Sequence, residues 1–163
     1  MRVKIFITGG TIDGYEYSSE DQAPSEKQTF IPKLLKSFGF MTPYSIEELM
    51  NKDSRFITDE DREIITRRCT ECEERNIVIT HGTITMVETA KYLKSKHIGK
   101  TIVLVGAMVP ANQEGTDGPD NLKRAFGEVQ KLPAGVYISM SGRMFEADNV
   151  RKNIEKGLFE ELA

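Results

Sequence analysis

Nowhere in the 163 residues does an apolar run approach the roughly 20 positions that a membrane-spanning helix needs. The N-terminus, Met1 to Thr8, reads as a strand rather than a secretory leader. Positive charge is not in excess either: 22 basic residues face 25 acidic ones, mixed along the chain, for a formal net charge of -3. Such a balance supplies no field for nucleic acid or for an anionic membrane, so neither partner is expected, and a soluble, cytoplasmic protein is. Cysteine is scarce. Cys69 and Cys72 make one C-x-x-C in a charged, helix-like stretch, with no second pair and no nearby histidine to complete a zinc site, and are expected as two reduced thiols on one helical face. The only other histidine besides His81 is His97, no H-x-x-x-H pair exists, and a catalytic metal is not indicated. Phosphate fingerprints are missing too: the first glycine-rich loop is not G-x-G-x-x-G, and no G-x-x-x-x-G-K-[ST] follows a strand. No cofactor is expected.

What remains is a regular alternation. Val3 to Ile7 is a β-rich run that stops at Thr8-Gly9-Gly10, and Ile77-Val78-Ile79 stops before His81-Gly82. Thr101 to Val105 ends at Gly106, and Gly135 to Ser139 ends near Gly142. Short, continuously apolar strands of this kind suit a parallel sheet covered on both faces. Between them, Phe30, Ile31, Leu34, Leu35 and Phe38 repeat at helical spacing up to Gly39, a C-cap candidate. Leu122, Ala125, Phe126 and Val129 repeat in the same way. The stretch after Thr58 reads as helix up to Glu74, with Ile64 and Ile65 as its main apolar contacts. Thr85 and Glu88 have capping-box spacing ahead of the stripe Met86, Val87, Ala90 and Leu93, which puts Thr83 at, or one step before, a helix N-terminus. The pattern predicts an α/β chain, a Rossmann-like or flavodoxin-like three-layer sandwich with a mainly parallel sheet. Its length fits a single domain over residues 1–163. Residues 9–28 and 107–120 are long irregular stretches of the kind that form lids or binding loops.

In open α/β sheets ligands bind outside the carboxyl ends of the strands, where Thr11 and Thr83 each follow a glycine. Glycine admits turns and close backbone approaches that expose the next hydroxyl. A neighbouring helix N-terminus adds N–H groups and partial positive charge suited to a carboxylate or a developing oxyanion. This equipment fits acyl transfer, yet a threonine hydroxyl needs a base or a lysine of lowered pKa to become a nucleophile. Lys152, beyond the last predicted strand and the Gly142 turn, is the candidate. Helix capping is the alternative role for Thr11 and Thr83, and a solvated surface charge is the alternative for Lys152.

Together these residues resemble the bacterial-type L-asparaginase family. Thr8-Gly9-Gly10-Thr11-Ile12 is similar to its first signature and Thr80-His81-Gly82-Thr83-Ile84-Thr85-Met86 to its second. Gly106-Ala107-Met108 with Pro110, Asp117-Gly118-Pro119, Asn121-Leu122 and Val150-Arg151-Lys152 follow in family order. The resemblance covers nearly the whole chain. It implies that Thr11 is the nucleophile, on a loop that also supplies a tyrosine, Tyr15 or Tyr17. It implies that Thr83 and Lys152 form a second pair activating a hydroxyl or water, and that Ser54 contacts the substrate carboxylate. Gly10 and Gly82 would shape the site.

Two departures accompany the likeness. The family carries Asp after the second signature threonine, where it binds the substrate's α-ammonium group, and this chain has Ile84. Losing a charge-assisted contact costs on the order of 1.5–3 kcal/mol, so asparagine is expected to bind poorly unless Asp13 or Glu114 substitutes. Full-size members also have a smaller C-terminal domain, so this chain resembles the N-terminal domain alone and is expected to enclose its site as a homo-oligomer. The leading expectation is a cofactor-independent amidohydrolase acting on asparagine or a related small amide. The alternatives are a catalytically weakened small-molecule-binding domain and a flavodoxin-like nucleotide module, the latter lacking its phosphate fingerprint.

Overall fold

A computed structural model describes residues 2–13 and 29–162. The predicted strand runs all form: β1 (Val3–Ile7), β3 (Asn76–Thr80), β4 (Thr101–Val105) and β5 (Gly135–Met140). They join β2 (Tyr44–Glu48) and β6 (Arg143–Glu146) in one sheet of order β2-β1-β3-β4-β5-β6, parallel throughout except for the antiparallel edge strand β6. The first five strands therefore have the flavodoxin-like order.

The two faces of the sheet follow from alternation along each strand. Ile5, Ile7, Val78, Val103 and Val105 project to one side. There they meet α1 (Ile31–Phe38) and α4 (Gly118–Val129) through Ile31, Leu35, Leu122 and Phe126. Phe6, Ile77, Ile79, Ile102 and Leu104 project to the other. They meet α2 (Asp59–Glu71) and α3 (Met86–Ser95) through Ile65, Met86, Ala90 and Leu93. Each such fully buried apolar side chain contributes about 1.5–3 kcal/mol of transfer free energy, which makes the three layers mutually dependent. Among the described residues, no helix is long and apolar enough to cross a membrane.

Edge elements escaped the sequence pattern. In β2, Tyr44 and Ile46 pack on the first core, while Glu47 pairs with Arg68 at 2.8 Å and Ser45 donates to Glu74 on the opposite face. A strand half covered by ion pairs carries no continuous apolar run. The hairpin of β7 (Arg151–Asn153) and β8 (Leu158–Glu160) is equally polar, and buried Val150 and Phe159 pin it to the second core.

Helix ends agree with the reading in part. Gly39 does cap α1, at φ 65°. α2 ends at Glu71, short of Glu74, so Cys72 lies past the helix while Cys69 is buried within it; they do not share a helical face. Ile64 is turned outward, 37% exposed, and Ile65 makes the core contact. Thr85 precedes α3 but makes no side-chain cap, whereas Thr58 and Asp61 form a full capping box at α2. Thr83 accordingly stands three residues before α3 rather than one.

Candidate active site

β2 lies on one side of β1 and β3 on the other, so the loops leaving β1 and β3 diverge at the switch point of the sheet. Thr11 leaves β1 in a short 3-10 turn (Thr11–Asp13), and Thr83 lies in the loop after β3. Both line one cavity of about 550 Å³, together with Gly10, Ser54, Gly82, Ile84 and Lys152. Sequence reasoning thus assembled seven residues that the fold brings together. Tyr15 and Tyr17 lie outside the described residues.

The two loops touch backbone to backbone. Gly10 has φ +92°, and a Cβ there would stand 2.6 Å from Gly82 N; a Cβ on Gly82 would stand 2.8 Å from Ser54 Cβ and Oγ. Glycine is needed at both places, which turns a motif of unusual composition into a steric requirement. Ser54 in turn accepts from Thr85 N at 3.2 Å, and Thr85 Oγ1 donates to Ser54 O at 2.8 Å. This pairing explains the missing cap: the Thr85 hydroxyl braces the Ser54 turn, and the N–H expected to be free at the helix entrance is occupied.

Lys152 reaches the cavity from β7 and donates from Nζ to Thr83 Oγ1 at 2.8 Å. The amine is half-buried, and burial holds its pKa below the usual lysine value. An ammonium that gives up its proton more readily beside a hydroxyl is what activation of that hydroxyl requires.

His81, by contrast, is fully buried and part of the scaffold. Arg62 Nε can only donate, and does so to Thr89 Oγ1 at 2.9 Å. The Thr89 hydrogen is then directed to His81 Nε2 at 2.8 Å, leaving the imidazole proton on Nδ1 for Gly82 O at 2.7 Å. Burial, with the Arg62 charge acting in the same direction, pushes the His81 pKa down to about 4 despite the Gly82 bond. A neutral imidazole of one tautomer therefore fixes the carbonyl preceding Thr83.

Asp13 and Glu114, the acids considered as substitutes opposite Ile84, do not reach the pocket lining. Asp13 is buried, and its Oδ1 accepts from Thr29 Oγ1 at 2.5 Å and from the N–H groups of Phe30 and Ile31 at the start of α1. Its Oδ2 has no partner among the described residues, and burial raises its pKa to about 6. Glu114 is exposed to solvent.

Two lining residues had no sequence signal, Arg55 and Gln113, and Asp53 stood out only as the neighbour of Ser54. Asp53 Oδ1 accepts from Arg55 N at 2.9 Å and Oδ2 from Arg55 Nε at 2.8 Å and from Arg55 Nη2, so the carboxylate is bound three times by one neighbour. Asp117 and Asn121, part of the resemblance, serve the loop after β4. Asp117 accepts from Met108 N and Val109 N, and Asn121 Nδ2 donates to Gly106 O at 3.0 Å. They shape the wall carrying Met108 and Pro110. Among the described residues, no group of three or more His, Cys, Asp or Glu is placed to hold a metal.

Residues 2–158 match the family described as Asparaginase, N-terminal. The "Probable L-asparaginase periplasmic" of Haemophilus influenzae is 33% identical over 161 residues, covering 92% of this chain and 46% of that protein. The L-asparaginase of Thermococcus kodakarensis is 32% identical, covering 97% of this chain and 49% of that one. In structure, the probable cytoplasmic L-asparaginase from Campylobacter jejuni superposes with a TM-score of 0.82 at 30% identity, over 98% of this chain and 52% of that chain. The chain spans about half the length of the curated relatives it matches.

Proposed function

Because the chain belongs to the asparaginase N-terminal family, we propose that it is an amidohydrolase that cleaves the side-chain carboxamide of L-asparagine or a related small amide through a threonine nucleophile. The products are the acid and ammonia. The observation that carries this reading is the 2.8 Å contact of Lys152 Nζ with Thr83 Oγ1 in a cavity that Thr11 also lines.

In the proposed sequence Thr11 Oγ attacks the amide carbonyl, and its proton passes through Thr83 to the unprotonated Lys152 amine. The C–N bond breaks as ammonia leaves with that proton, giving an ester on Thr11. Water, deprotonated at the same Thr83–Lys152 pair, then hydrolyses the ester and restores the hydroxyl. Ser54, and the backbone shaped by Gly10 and Gly82, hold the carboxylate end and the oxyanion. The resemblance adds a tyrosine to this chemistry, Tyr15 or Tyr17. These steps use side chains and water alone. A binding domain without turnover is the less favoured reading, since the amine and hydroxyl that chemistry needs are both retained.

We assign residues 1–163 to one domain of the N-terminal type and place it in the cytoplasm as a homo-oligomer. The free thiols of Cys69 and Cys72 suit a reducing compartment. Ile154, 84% exposed two residues beyond Lys152, suits coverage by a second copy. The test is ammonia release by the purified protein, with Thr11→Ala, Thr83→Ala and Lys152→Met each expected to lower kcat by about a thousandfold or more. Turnover undiminished in Thr11→Ala would overturn the assignment.

A further inference from the structure

The charges around the cavity define what the non-reacting end of a substrate must look like. Arg55 brings a guanidinium to the lining, and Lys152 an amine that the proposed mechanism uses unprotonated. The acidic residue on that lining, among the described residues, is Asp53, and both of its oxygens are engaged by Arg55. Beside Thr83 stands Ile84, apolar and 55% exposed. A substrate ammonium placed here meets an aliphatic wall and, among the described residues, no uncommitted carboxylate on the lining, whereas a carboxylate meets the Ser54 turn and the Arg55 guanidinium. Among the described residues, Asp13 is committed to the entrance of α1, Asp117 to the N–H groups of Met108 and Val109, and Glu114 points to solvent away from the lining.

We propose that the pocket is selective for short amide acids, with a carboxylate at one end, a carboxamide at the other and no charged amine between them, the Ile84 side chain packing against the methylene that replaces the aminated carbon. This rests on the amidohydrolase reading for its chemistry, but its selectivity is a property of binding. Ile84 is then the specificity-determining residue.

The two claims separate if binding and turnover are measured apart. Calorimetry on the Thr11→Ala protein would compare succinamate, which is the asparagine skeleton without its amino group, with L-asparagine. Succinamate is expected to bind tighter by about tenfold or more. In Ile84→Asp, an exposed position where folding is undisturbed, the order is expected to reverse. Equal affinities, tighter binding of asparagine, or no binding of either ligand would overturn the selectivity whatever the turnover. Ammonia release by the wild-type protein tests the amidohydrolase reading independently. Should succinamate bind selectively and no amide be hydrolysed, the selectivity stands and that reading falls.

Discussion

The two threonine loops are built from similar sequences, Thr-Gly-Gly-Thr and Thr-His-Gly-Thr, yet the fold treats them differently. Thr83 is surrounded by fixed groups. Its hydroxyl accepts from Lys152, the preceding carbonyl accepts from His81, and the next turn is tied to Ser54. The Thr11 hydroxyl has no hydrogen-bond partner among the described residues, although its short turn is anchored on both sides of it, by Gly10 against Gly82 and by buried Ile12 and Asp13. In the proposed mechanism one loop transfers protons and the other supplies the attacking hydroxyl. A division of labour, with Thr11 attacking and Thr83 activating, suits that asymmetry better than two equivalent nucleophiles do.

The most direct way to break the comparison is to trap the ester. Acid quenching during turnover, followed by peptide mass spectrometry, is expected to find the acyl group on the peptide containing Thr11. Acylation of Thr83 would reverse the roles. Almost as large is the expected effect of Gly10→Ala, where a positive φ and a clash with the Gly82 backbone combine. Roughly 3 kcal/mol of stability should be lost in denaturant unfolding. Gly39→Ala, also at positive φ but with nothing near its Cβ, should lose only about 1 kcal/mol.

The loops also differ in how protons stabilise them. His81 titrates near 6.5 when unfolded and near 4 in the fold, so its contribution is present above 6.5 and is lost as pH falls toward 4. Asp13 titrates near 3.8 unfolded and near 6 folded, so its contribution is complete below 3.8 and is lost as pH rises through 6. Each amounts to about 3 kcal/mol, and the windows overlap with opposite sign. Relative to wild type, His81→Gln should shift the stability curve toward a fall with rising pH between 4 and 6, and Asp13→Asn toward a rise. Urea unfolding at several pH values reads both. Identical slopes in all three proteins would show that neither group is held as described.

The smallest expected effect separates two threonines with the same sequence signature. Thr58→Ala removes a complete capping box and should cost about 1 kcal/mol without changing kcat. Thr85→Ala removes no cap but frees the Ser54 turn, so it should raise KM while stability changes little.

Legibility tracked burial. The strands β1, β3, β4 and β5 are apolar because both of their faces are covered, and the sequence pattern shows that directly. β2 and the β7–β8 hairpin are polar edge elements whose partners lie far away in sequence, so nothing local announces them. Within the site, Gly10, Thr11, Gly82, Thr83 and Lys152 could be read from glycine and threonine chemistry and from the resemblance. Arg55 and Gln113 could not, because their relevance depends on which loops face the cavity. The capping-box spacing at Thr85 misled because it fits two geometries, and only the proximity of Ser54 selects between them.

By itself, then, the sequence determined the alternation of strands and helices, the places where glycine lets two loops approach, and the candidates for the reactive side chains. These depend on local periodicity and on the properties of single residues. Only the tertiary structure decided that Lys152, 69 positions from Thr83, meets its hydroxyl, that Asp53 is committed to Arg55, and that Asp13 faces a helix instead of the substrate. Electrostatic role depends on distance and burial, and neither exists until the sheet has brought the ends of β1 and β3 together.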